Sequence, residues 1–88
     1  MYVVLFYDIK KGPRAPKVLK YLRQKLIWIQ NSVFEGEVTE AQFEEITETL
    51  HDMINTEKDS IIYYTFDSMK YSKREVLGIE KNPTDSFI

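Results

Sequence analysis

The chain opens on an almost unbroken apolar run, Met1-Tyr2-Val3-Val4-Leu5-Phe6-Tyr7, closed by Asp8 and then by Lys10-Lys11-Gly12-Pro13. β-Branched and aromatic residues dominate the run and a Gly-Pro turn ends it, which predicts a buried strand. Alternation with period two places Asp8 on the face of Tyr2, Val4 and Phe6, and Val3, Leu5 and Tyr7 on the other. Val18, Leu19, Leu22 and Leu26 then recur at helical spacing, with Lys17, Lys20 and Arg23 mostly off the stripe. Pro16 suits a first helical turn, so a helix is expected over about residues 14–26.

The segments 26–30 and 33–38 are strand-like, and Asn31-Ser32 lies between them. They read either as two strands of a tight hairpin or as one long bulged strand, and the turn chemistry of Asn-Ser favours the hairpin. Thr39-Glu40-Ala41-Gln42 has the capping-box pattern that starts a helix. Behind it Phe43, Ile46, Leu50, Met53 and Ile54 form one stripe and Glu40, Glu44, Glu48 and Asp52 the outer side, which predicts a helix over about 40–55. Residues 59–66 form another strand, apolar on both faces. A loop at 67–72 and a short last strand at 74–78 complete a domain of residues 1–78. The tail, 79–88, lacks periodicity and is expected to be mobile or docked on a partner.

The resulting order is β-α-β-β-α-β with a short extra C-terminal strand. This is an α+β, ferredoxin-like sandwich with two helices on one side of an antiparallel sheet. That architecture covers only one sheet face, yet the first strand is apolar on both. An uncovered apolar face of this kind usually meets a partner, and a homodimer packed sheet to sheet is the economical solution. Asp8 would then meet its own copy near the two-fold axis.

Composition narrows the chemistry. An 88-residue chain buries only about 60–65% of its unfolded surface, so association would help it. Cysteine is absent, and the single histidine, His51, cannot hold zinc without several carboxylates around it. No segment is long or apolar enough to span a bilayer, so no membrane association and a cytoplasmic location are expected. The net charge is only −2, but residues 1–26 carry seven basic residues against Asp8, and residues 27–60 carry nine acidic residues against Lys58. Such a two-faced distribution can orient a molecule on a polyanion, although solvated helix faces of opposite sign would look the same.

Within that frame Asp8 is the leading candidate for chemistry. A carboxylate ending an apolar face is costly unless it is paired, protonated or bound to a cation. The plain alternative is a strand-end aspartate capping a turn amide. Lys10, Lys11, Arg14, Lys17, Lys20 and Arg23 are the candidate nucleic-acid contacts, with Lys17, Lys20 and Arg23 in one helical row. Trp28, Tyr63, Tyr64 and Phe66 suit core or dimer packing better than base stacking.

Several of these features occur together in one known family. The strand ending Tyr7-Asp8, the segment from Gln30 to Gly36, Thr39-Glu40-Ala41-Gln42, Asp59-Ser60 and Glu75-Val76-Leu77-Gly78 follow in order. Over about residues 1–78 the chain resembles the small CRISPR-associated family known as Cas protein two. The resemblance implies a ferredoxin-like homodimer and a metal-dependent endonuclease acting on RNA or double-stranded DNA. It also implies an adaptation role, in which the dimer bridges the CRISPR integrase and the DNA acquired as a spacer. Asp8 matches the family's metal-binding aspartate, shared between protomers through Mg²⁺, with Mn²⁺ as the alternative ion. Ser32 and Phe34 match positions lining the same cleft and are carried over as catalytic candidates. Two positions depart from the pattern: Trp28 stands where members commonly have arginine, and Lys10 and Lys11 where many have acidic residues. Both departures favour a competing reading as a non-catalytic scaffold. A third reading is a regulatory dimer with a small-molecule ligand.

Overall fold

Six elements follow in the order β1 (Tyr2–Asp8), α1 (Arg14–Lys25), β2 (Ile27–Gln30), β3 (Val33–Glu37), α2 (Glu40–Met53) and β4 (Ser60–Phe66). The computed structural model describes residues 1–82. The strands make one sheet in the order β2-β3-β1-β4, every neighbouring pair antiparallel. This is the α+β, ferredoxin-like arrangement expected from the hydrophobic pattern.

Local chemistry explains the boundaries. α1 starts behind Gly12, whose φ of +151° disfavours any side chain, and Pro13, which takes the N-cap position. It stops at Lys25, because Leu26 is already extended and leads straight into β2. α2 begins with the anticipated capping box: the Gln42 amide donates to Thr39 Oγ1 at 3.0 Å, and the Thr39 amide to Gln42 Oε1 at 2.8 Å. Between β2 and β3 the chain makes a two-residue hairpin loop at Asn31-Ser32, with Asn31 at φ +39°. A bulge also shifts the register between Trp28 and Gln30. The Trp28 indole donates to the Asn31 carbonyl at 3.0 Å and closes the turn.

Burial separates the two faces of the sheet. Val3 and Leu5 of β1 and Phe34 of β3 are almost fully buried against Val18 and Leu22 of α1 and Ile46 and Leu50 of α2. Each such side chain contributes roughly 1.5–3 kcal/mol by leaving water. The opposite face carries Tyr2, Val4, Phe6 and Asp8, aligned in register with Phe66, Tyr64, Ile62 and Ser60 of β4. No helix covers it, and Phe6, Ile62, Tyr64 and Phe66 remain 38–59% exposed.

Residues 74–78 differ from expectation, because they form no strand. The segment crosses the open face instead of lying along a sheet edge. Arg74 Nε donates to the buried carboxylate of Glu35 at 2.6 Å, and Arg74 Nη1 reaches Glu80 at 3.4 Å. The Asn82 side-chain amide donates to the Trp28 carbonyl at 2.8 Å. Val76, Leu77 and Ile79 stay exposed, and a cleft of about 270 Å³ opens between this segment and Val4, Val33 and Glu35. The rest of the expected tail, residues 83–88, lies outside the described residues.

Candidate active site at the end of the first strand

The C-terminal end of β1 is positioned from both sides. Its neighbours there are β4, where Asp8 pairs with Ser60, and the β2–β3 hairpin, whose Ser32 carbonyl accepts the Tyr7 amide at 3.0 Å. Asp8 is exposed and its side chain belongs to the open face, so it stands at the rim of an apolar surface without being desolvated. Among the described residues, no cluster of three or more acidic, histidine or cysteine side chains could hold a metal ion. Asp8 is the carboxylate that β1 itself carries at this end of the open face.

The other candidates separate. Ser32 is half-buried beside β1, one register step from Asp8. Phe34 corrects the expectation that it lines the cleft. Its side chain is fully buried on the helix side of the sheet, stacked on Tyr7 at 6.2 Å between ring centroids. Alternation from Val33 puts it on the face opposite Asp8, and its role is packing. Lys10 and Lys11 are exposed in the turn after β1, and Lys17, Lys20 and Arg23 along α1. Because α1 packs on the helix side, this row lies behind the sheet from Asp8. Only the β1–α1 turn, with Lys10 and Lys11, joins the two regions.

Arg14 is differently placed. Its Nε donates to Asp59 Oδ2 at 2.7 Å and its Nη2 to Asp59 Oδ1 at 3.2 Å. Asp59 precedes β4, its side chain is fully buried, and it also accepts the amides of Lys10 and Asn55, both at 2.8 Å. The Arg14 guanidinium holds the Asp59 carboxyl well below the usual carboxylate range; burial opposes this and the two backbone donors assist. A second buried carboxylate, Glu35, joins Arg74 to Tyr2. Burial first, and then the hydrogen bond and charge of Glu35, push the Tyr2 hydroxyl above its ordinary range. Sequence analysis names Asp59 and Glu35 only within motifs and the charge balance, and assigns neither a partner. The available signal for Asp59 was its place at the start of a mostly apolar strand.

A ferredoxin-like protein with one aspartate at the end of its first strand, on a sheet face that no helix covers, is the class these features define. The family model described as CRISPR associated protein Cas2 matches residues 1–74. A CRISPR-associated endoribonuclease Cas2 of Pyrococcus furiosus is 52% identical over 88 residues, which is the whole of both chains. A Cas2 crystal structure superposes with a TM-score of 0.82 at 39% identity, covering 100% of this chain and 98% of that one. Streptococcus pyogenes Cas2 gives 0.74 at 34% identity, covering 89% of this chain and 100% of its own. The chain belongs to the CRISPR-associated Cas2 family.

Proposed function

We propose that this protein is an endonuclease of CRISPR adaptation that cleaves RNA as a homodimer, with Mg²⁺ held between the Asp8 carboxylates of the two copies. The observation that carries the reading is the exposed Asp8 on an open apolar sheet face, in a chain 52% identical throughout to a relative named as an endoribonuclease. The donor set fits such an ion in a restricted way. Mg²⁺ takes oxygen ligands and keeps several waters, so one carboxylate per chain suffices when a second copy and the substrate phosphate supply the rest. Held by the two Asp8 carboxylates, such an ion would polarise a phosphoryl oxygen and make a coordinated water more acidic than bulk water. Asp8 presents its carboxylate where the scissile phosphate must approach. Lys10 and Lys11 neutralise the neighbouring phosphates, and the apolar face excludes water once the copies meet.

A scaffold that bridges the CRISPR integrase and DNA is the second reading. It is favoured by the exposed Lys17, Lys20 and Arg23, which face away from Asp8 and would serve a duplex without serving hydrolysis. Either role places the protein with nucleic acid in the cytoplasm. The deciding experiment offers single-stranded RNA and duplex DNA to purified protein with Mg²⁺, with Mn²⁺ and with chelator. The nuclease reading expects cation-dependent cleavage of RNA; binding without cleavage of either substrate would leave the scaffold.

A further inference from the structure

Asp59 is the most heavily engaged carboxylate among the described residues, and nothing in the proposed chemistry uses it. Its four donors come from three places: the Lys10 amide, the Arg14 Nε and Nη2, and the Asn55 amide. Oδ1 takes both the Lys10 amide and the Arg14 Nη2, so a single oxygen joins the two ends of the turn between β1 and α1. Oδ2 takes the Arg14 Nε and the Asn55 amide, which adds the connection between α2 and β4. Asp8 lies within this frame. Its backbone is held at Tyr7 by the Ser32 carbonyl, by the ladder to Ser60, and two residues later at Lys10 by Asp59. Between Lys10 and Arg14 the turn contains Gly12 at φ +151°, a flexible residue type that cannot fix the path alone.

We propose that Asp59 is a positioning residue for Asp8: by gathering the Lys10 amide and the Arg14 guanidinium it fixes the turn after β1 and hence the direction in which Asp8 presents its carboxylate. The same geometry assigns Arg14 to this internal network and not to the phosphate-binding row. The proposal rests on the nuclease reading for its kinetic consequence, but its structural consequence is independent of that reading. A carboxylate displaced by about 1 Å can cost on the order of 100-fold in rate while substrate binding is kept.

The test compares Asp59→Asn, Arg14→Gln, the double variant and Asp8→Ala with a core variant of matched melting temperature, Ile46→Val or Leu50→Ala. RNA cleavage yields kcat and KM, and amide hydrogen exchange without metal reports on Lys10. Each single variant is expected to lower kcat by about 10–100-fold with KM changed less than about threefold. The double variant should be no worse than either single, because both break one network. Lys10 exchange should accelerate in all three network variants and not in the core variant. Should Asp59→Asn fail to fold, Arg14→Gln carries the test, since it keeps the Asp59 carboxylate and removes only the two guanidinium donors that hold its oxygens against the Lys10 amide. A kcat loss no larger than that of the core variant would overturn the proposal. So would an Arg14→Gln defect confined to KM and salt dependence, or unchanged Lys10 exchange. Full cleavage by Asp8→Ala would overturn the nuclease reading instead, and exchange would still decide whether Asp59 holds the turn.

Discussion

Asp59 Oδ1 accepts the Lys10 amide at 2.8 Å, tying the start of β4 to the residue two positions beyond Asp8. Of the two aspartates at this end of the sheet, Asp59 is the one withdrawn from water, and Asp8 is exposed. Asp59 satisfies buried donors, whereas Asp8 faces solvent.

Acid should expose the Asp59 network first. Because the folded state holds this carboxyl below its ordinary value of about 3.9, the unfolded chain binds more protons in the window beneath that value. The stabilisation is therefore fully present above the unfolded pKa and is lost as pH falls towards the folded one. Thermal unfolding followed downward from about pH 5 should show a steep acid loss in the wild type and a shallower one in Asp59→Asn. Parallel profiles would refute this role.

Removing the cap of α2 should act on stability alone. Thr39→Ala deletes the acceptor of the Gln42 amide and is expected to cost about 1 kcal/mol. In a domain of this size that lowers Tm by roughly 4–8 °C, readable by calorimetry.

Phe34 should behave as core. Phe34→Ala is expected to cost about 3–5 kcal/mol, enough to threaten the fold of a small domain. Phe34→Leu should lower Tm while retaining cleavage in proportion to the folded fraction. Loss of cleavage by a stable Phe34→Leu protein would return Phe34 to the site.

Charge reversal on α1 should separate binding from hydrolysis. Lys17→Glu with Lys20→Glu is expected to weaken duplex binding and to flatten the salt dependence of log K by roughly 0.9 per lost phosphate contact. Fluorescence anisotropy across a salt series measures both effects. An unchanged slope would remove this row from the interface.

The fold was legible because its signals are local. A β-branched and aromatic run ended by Gly-Pro marked β1, helical spacing marked α1 and α2, and Thr39 with Gln42 marked the start of α2. The site was half legible. Cost reasoning singled out Asp8 as a carboxylate closing an apolar run, yet the same reasoning describes Asp59 better, since that carboxylate is the one fully buried. What hid Asp59 was distance: its partners Lys10 and Arg14 lie in a different part of the chain, and no local pattern joins them. The motif around Phe34 carries no face, and only the register with Leu5 shows that its ring points into the core. Residues 74–78 have strand-like composition, but Glu35 draws Arg74 across the sheet and no edge receives them.

Cleavage of RNA by Asp8→Ala, set beside the wild type with Mg²⁺ present, tests the central claim most directly. The exposed side chain can be removed with a stability change within about 0.5 kcal/mol, so the variant should fold and melt like the wild type. Loss of cation-dependent cleavage by that folded variant is the expected result; cleavage at the wild-type rate would contradict a nuclease centred on Asp8.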